Sequence, residues 1–370
     1  MVAATISEMK LRGYKSEVLC LDTRDSGQVT GIDCPVHKIG PGGKVPGYDL
    51  KTHRWIARNA HRFEVAIVHG IWTSISVSGA FACRRAGLPY LLFPHGMLDP
   101  YFRRTKPVKH WIKQAFWLIQ GPALAHAKAV VFTGEEEREL ARGEFWGPAY
   151  TSKIAHLGVP KPPLKIDASL QKHFRNSFPS IGRSPYILFL SRIHPKKGLD
   201  MLIEAFAEVS MDFPDLALVV AGSGDEGFAA SLNAAAAATP SAERIHFLGT
   251  ITGADKWGAI SGAEALCLWT HQENFGLVLA EALSAGCPVL TTERTNIAHE
   301  LRHSGAALIG TDTAESAVAT LRSFLSLTVE QKAEMRKAAL VTHRDSFSIQ
   351  GAISEMEELI VWAARPPIRK

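Results

Sequence analysis

Three observations predict an α/β protein of two doubly wound domains. Short apolar runs alternate with longer amphipathic stretches, the pattern of parallel strands joined by crossover helices. The alternation stops once, at a proline-bearing stretch, and then restarts. At 370 residues the chain is longer than one hydrophobic core ordinarily serves.

The first half reads as strands at Val18–Leu21, Val65–His69, Tyr90–Phe93, Ala129–Phe132 and Ile154–Leu157, with helices such as Arg54–Ala60 and Ile75–Arg85. Pro160, Pro162, Pro163, Pro179 and Pro185 then crowd one polar stretch, which marks a linker. The second half carries strands at Tyr186–Leu190, Leu216–Ala221, Ile245–Leu248, Ala265–Trp269 and Pro288–Thr291. Its helices fall at about Leu199–Ser210, Phe228–Ala238, Leu277–Ala285 and Ala314–Leu325, and Leu199, Leu202, Ile203, Phe206 and Val209 keep the spacing of one buried helical face. Domains at 1–165 and 180–345 follow. A closing helix, Ile349–Ala364, comes after the second sheet is complete, so residues 346–370 are expected to return to the N-terminal domain.

The 46% apolar and 21% charged residues describe a globular protein. A net charge of +5, from 41 basic and 36 acidic residues, gives no warrant for a nucleic-acid binder. Cys20, Cys34, Cys83, Cys267 and Cys287 are scattered without ligand-like spacing, which points to free thiols in a reducing cytoplasm. No signal peptide is evident, and no apolar run has the length of a spanning helix.

Two segments carry chemistry. In Leu190-Ser191-Arg192-Ile193-His194-Pro195-Lys196-Lys197-Gly198 a buried strand ends, a short loop bears Arg192 and Lys197, and a helix opens near Gly198. Two cations beside a helix N-terminus suit a diphosphate; a solvated basic loop is the plain alternative. In Glu273-Asn274-Phe275-Gly276-Leu277-Val278-Leu279-Ala280-Glu281 a loop carboxylate precedes a glycine and an apolar helix with a second carboxylate. Glu281 interrupts an apolar run and needs a partner, for which ribose hydroxyls are suitable donors. Glu273 is placed to accept from sugar hydroxyls, and Gly276 lets backbone approach a ligand. A capping loop plus a carboxylate paired with a neighbouring base is the other reading.

Together the segments give Arg192, four residues, Lys197-Gly198, and then Glu273, seven residues, Glu281. This pattern resembles the retaining glycosyltransferases of family 4 (glycosyl transferases group 1), from about Tyr186 to Ala364. The resemblance implies the GT-B fold, two Rossmann-like domains facing across a cleft. It implies that Arg192 and Lys197 hold the diphosphate of a nucleotide-sugar donor, Glu273 the sugar hydroxyls and Glu281 the ribose. Backbone N–H groups of Asn274, Phe275, Gly276, Leu277 and Val278 would line the sugar-diphosphate. The implied activity is transfer of a hexose, with retention, to a glycan or lipid-linked acceptor in surface polysaccharide biosynthesis.

The first half matches more loosely, through His69-Gly70-Ile71-Trp72-Thr73 and Pro94-His95-Gly96-Met97-Leu98-Asp99-Pro100, each after a strand. The carboxyl edge of an open sheet is where ligands bind. The resemblance gives His95 a catalytic place beside the diphosphate; His69 is as readily structural. Gly222-Ser223-Gly224-Asp225-Glu226-Gly227 spells a dinucleotide fingerprint, but no carboxylate ends the next strand, so it reads as turn chemistry. With no Asp-x-Asp and no cysteine cluster, neither a metal nor a cofactor is expected. Residues 101–117 mix basic and aromatic side chains, a candidate for peripheral contact with the inner face of a membrane; an ordinary amphipathic helix is the alternative.

One departure from the family stands out. Members begin with a strand and a Gly-rich loop, whereas Ala3–Leu11 already reads as the helix that follows them. The expectation is an N-terminal domain lacking its first strand, with the true start upstream. The competing function is a nucleotide-sugar-binding pseudoenzyme.

Overall fold

The apolar runs become parallel strands in a computed structural model that describes residues 2–22, 31–40, 49–101, 103 and 107–365. The backbone divides into two units, Met1–Gly158 with Ile349–Lys370, and Val159–Ser348.

The first unit contains α1 (Val2–Leu11), β1 (Val18–Cys20), β2 (Val36–Lys38), α2 (Leu50–Asn59), β3 (Ala66–His69), α3 (Ser74–Ala86), β4 (Tyr90–Phe93), α4 (Pro107–Ala125), β5 (Ala129–Phe132), α5 (Glu135–Ala141) and β6 (Ser152–Ile154). Strands β3, β4, β5 and β6 form one parallel sheet in that order. The parallel pair β1–β2 is a separate sheet, and no described strand joins it to β3. Side chains alternate across the larger sheet. Tyr90, Leu92, Val130 and Phe132 pack with Cys83 of α3 and Trp117 and Leu124 of α4. Leu91, Phe93, Ala129 and Val131 point the other way. Because both faces are covered, β4 and β5 are apolar throughout.

The second unit contains α6 (Ala168–Ser177), β7 (Tyr186–Leu190), α7 (Leu199–Val209), β8 (Ala217–Ala221), α8 (Glu226–Ala237), β9 (Ile245–Gly249), α9 (Gly253–Gly262), β10 (Ala265–Leu268), α10 (Leu277–Ser284), β11 (Val289–Thr292), α11 (Ala298–Arg302), β12 (Ala307–Gly310), α12 (Ala314–Leu325) and α13 (Val329–Thr342). Its six parallel strands lie in the order β12-β11-β10-β7-β8-β9. Chain order therefore reverses between β7 and β10, and a doubly wound sheet opens its ligand crevice at such a switch point.

The last helix, α14 (Ile349–Ala364), belongs to the first unit. Met356, Leu359 and Ala363 cover the Leu91, Phe93, Ala129 and Val131 face. Ile349 and Ile353 meet Met9 of α1. Arg12 pairs with Glu357 at 2.5 Å, and His156 with Glu355 at 3.0 Å.

In the chain the units meet at Gly158/Val159, just ahead of the proline-bearing stretch from Pro160 to Pro185 that was read as a linker, and that stretch is part of the second unit. Asp167 caps α6 by accepting from Ser169 N at 3.0 Å. Leu170 and Phe174 are then buried, with Gly258 of α9 against them at a point where any Cβ would meet Leu170 O and Phe174 Cβ at 2.6 Å. Val159 N–H donates to Phe347 O at 2.9 Å, closing the unit on itself.

Candidate functional site

At the carboxyl end of β7 the chain runs alongside the glycine-rich turn that follows β8. Ser191 N–H donates to Ala221 O at 3.1 Å and Ile193 N–H to Ser223 O at 2.9 Å. A Cβ on Gly222 would sit 1.8 Å from Ser191 O, and one on Gly224 1.9 Å from Ile193 O. The Gly-x-Gly sequence is thus an adjustment to this close approach, and it holds Arg192 out from the sheet edge. Arg192 is exposed and makes no hydrogen bond or ion pair among the described residues.

After β10 a second loop is fastened to the first. Lys196 O accepts from His271 N at 2.9 Å and from Thr270 Oγ1 at 2.7 Å. This draws the buried Lys197 onto Glu273, whose carboxylate it contacts directly. Glu273 is held by its backbone as well, since its N–H donates to Arg294 O at 3.0 Å and its O accepts from Asn296 N at 3.0 Å. Asn296 Nδ2 also donates to Asn274 Oδ1 at 2.9 Å. Gly276 turns left-handed, at φ 68°, to start α10. The first N–H groups of that helix, Leu277 and Val278, have no acceptor within it. Glu281, one turn on, pairs with Lys256 of α9 at 2.6 Å.

In the first unit the turns after β3 and β4 sit side by side, because His69 is in register with Phe93. Trp72 and His95 are the two described non-glycine residues with positive φ, at 67° and 51°. Glu137 of α5, buried, accepts from Gly96 N–H, and from Thr133 N and Oγ1 at 2.7 Å each. His69 Nδ1 lies 2.9 Å from His95 Nε2. Desolvation, and for His69 also the neighbouring His95, pushes both imidazoles down to about 4. The His69 side chain keeps solvent contact, but the protein around it is dense enough to disfavour its cation.

Comparison with known proteins gives two family matches that tile the chain. "Glycosyl transferases group 1" covers residues 171–341, and "Glycosyl transferase 4-like domain" covers residues 1–152. Residues 171–341 belong to the glycosyl transferases group 1 family. Among curated relatives of this family, it is 36% identical over 118 residues to a phosphatidyl-myo-inositol mannosyltransferase of Mycobacterium leprae, 31% of this chain and 30% of the relative. The protein of the same name from Mycolicibacterium smegmatis is 29% identical over 180 residues, 48% of this chain and 45% of the relative. The chain thus matches under half the length of these relatives. Among solved structures, a glycosyltransferase of Rickettsia africae superposes with a TM-score of 0.79 at 15% identity, over 98% of this chain and 93% of that one. Anabaena HepE, solved with UDP-glucose, gives 0.76 at 16% identity, over 97% and 94%. At such identities the likeness establishes the fold, which is GT-B, with two Rossmann-like domains.

The sequence-derived residues sort plainly. Lys197 and Glu273 are in contact, and Arg192 stands at the same sheet edge. Glu281 is half-buried rather than enclosed, and it is satisfied by Lys256. Phe275 turns its ring inward to Phe347, with centroids 5.9 Å apart, so only its backbone is available to a ligand. Lys256 and Glu137 escaped the sequence reading. Lys256 finds its carboxylate 25 residues downstream, and Glu137 is the one buried member of the run Glu135-Glu136-Glu137.

Proposed function

We propose that the protein is a retaining glycosyltransferase that moves a hexose from a nucleoside-diphosphate sugar to a glycan or lipid-linked acceptor in surface polysaccharide biosynthesis. The observation that carries this reading is the Lys197–Glu273 pair with Arg192, unpaired among the described residues, at the switch point of the second sheet. In the resting protein Glu273 is the counter-charge of Lys197. A bound donor supplies both partners anew: diphosphate oxygens for Lys197 and Arg192, sugar hydroxyls for Glu273. The N–H groups from Asn274 to Val278 line the diphosphate, and Glu281 takes ribose hydroxyls.

In this reading the anomeric C–O bond breaks as negative charge grows on the leaving phosphate, which the cations and helix N–H groups stabilise. The acceptor oxygen attacks on the same face, and its proton passes to the departing phosphate oxygen. His95, in the first unit, serves the reaction as a hydrogen-bond donor to a substrate phosphate oxygen.

A lipid-borne acceptor is favoured by the outward face of α4. Val108, Trp111, Ile112, Leu118 and Ile119 are exposed at 74%, 61%, 66%, 82% and 46%, and Trp146 beside them at 74%. This row is apolar where an ordinary amphipathic helix is polar. Phe102, Arg104, Thr105 and Lys106 of the 101–117 segment lie outside the described residues. No described helix is long and apolar enough to cross a membrane. In this reading the contact is peripheral, at the inner face of the membrane.

The test is a melting-temperature screen with UDP- and GDP-hexoses, followed by transfer of labelled sugar into a lipid extract. A donor at about 100 times its Kd adds about 2.7 kcal/mol and raises the melting point. Glu273→Gln is expected to lower turnover roughly 100- to 1,000-fold. If no nucleotide sugar shifts the melt, the reading is wrong. Binding without transfer under every acceptor tried would leave a sugar-nucleotide-binding protein instead.

A further inference from the structure

The His95 turn is costly to hold. A non-glycine residue in a sparsely populated backbone region costs on the order of 1–3 kcal/mol and persists only where its surroundings enforce it. Here Glu137 takes Gly96 N–H, and Met97 N–H donates to Pro94 O at 3.2 Å. The result is an imidazole turned back toward β3, its plane 13° from that of His69, with both rings against Phe93 at 5.6 and 5.8 Å.

Two neutral imidazoles 2.9 Å apart share one hydrogen, so only two arrangements exist. Either His69 donates from Nδ1, and His95 carries its own proton on Nδ1, or His95 donates from Nε2 and its Nδ1 is a bare lone pair. His95 Nδ1 has no partner among the described residues. A phosphate oxygen offers lone pairs only, so it can be met by the first arrangement and not by the second. We propose that His69 is a positioning residue that donates to His95 Nε2 and so fixes His95 as the Nδ1–H tautomer, ready to donate to a phosphate oxygen. This rests on the reading of His95 as a hydrogen-bond donor to substrate phosphate made above; His69 acts through His95. The fixed tautomer explains why the histidine that ends β3 faces a histidine in the turn after β4.

The experiment uses the full chain labelled with 15N-histidine. The ring nitrogens of His95, identified by their loss in His95→Gln, report the tautomer directly at neutral pH. The native protein is expected to show Nδ1 protonated and Nε2 bare. His69→Phe keeps a flat ring against Phe93 and removes the donor, so the His95 signal should move toward the Nε2–H form. In the same variant kcat is expected to fall at least about tenfold, a proton-placement effect, with the donor KM within about twofold. His69→Asn, whose side-chain N–H stands where Nδ1 stood, should recover most of both. A native spectrum with Nε2 protonated overturns the proposal without any variant, as does an unchanged His95 tautomer in His69→Phe. If His95→Gln transfers sugar as fast as the native protein, the assignment of His95 to the reaction fails, and the tautomer claim is then decided by the nitrogen shifts alone.

Discussion

Gly198 shows how little latitude the site residues have. It sits left-handed at φ 59° between Lys197 and α7, and a Cβ there would lie 1.8 Å from the carbonyl oxygen of Trp269. Gly198→Ala is expected to cost about 1–3 kcal/mol in chemical denaturation, from backbone strain alone, and to displace Lys197 from Glu273. A stability within about 0.5 kcal/mol of native would contradict the geometry. The histidine pair makes a second residue-level prediction. Its folded value of about 4 lies below the ordinary 6.5, so the unfolded chain binds more protons between those limits. The contribution of the pair to stability is complete above pH 6.5 and is lost as pH falls through 4. Melting curves across that range should drop less steeply for a His69→Phe, His95→Phe double variant than for the native chain. The loop positions of Arg192, Lys197 and Glu273, after β7 and β10, were legible in the sequence because an apolar run ends ahead of each loop. Lys256 was not: its partner is set by the packing of α9 on the second sheet, which no local pattern encodes.

At the scale of elements, the buried strands announced themselves and the marginal ones did not. β7, β8 and β10 are unbroken apolar runs because helices cover both faces. Val36–Lys38 and Ala307–Gly310 are short, half-buried strands at sheet edges, and their sequences carry neither alternation nor length enough to be read. Helix α6 was hidden for another reason: flanking prolines suggested a linker, while Leu170 and Phe174 in fact pack on α9. Helix α4 was legible as amphipathic, yet which of its faces turned outward was a tertiary matter. Its exposed row should bind the native protein to vesicles rich in anionic phospholipid. Trp111→Ser with Ile112→Ser should abolish co-sedimentation and leave the melting temperature nearly unchanged, since exposed substitutions rarely exceed about 0.5 kcal/mol. Equal sedimentation of variant and native chains would remove the membrane contact from the proposal.

For the whole molecule, α14 matters more than its place at the end of the chain suggests. It closes one face of the first sheet with Met356, Leu359 and Ala363, so the first unit depends on residues that follow the whole second unit in the chain. Truncation after Ser348 is expected to expose that face, with dye binding and loss of solubility as the readout; a truncated chain that melts like the native one would contradict this. The opposite consequence follows for β3. Ala66 and Gly70 donate toward β4, which turns the amides of Ile67 and His69 to the other side, where no described strand meets them. Such a row of idle donors and acceptors is a template for any extended peptide that comes near. Among the described strands, β3 therefore gives the first unit an edge open to a foreign strand, as β9 and β12 do in the second.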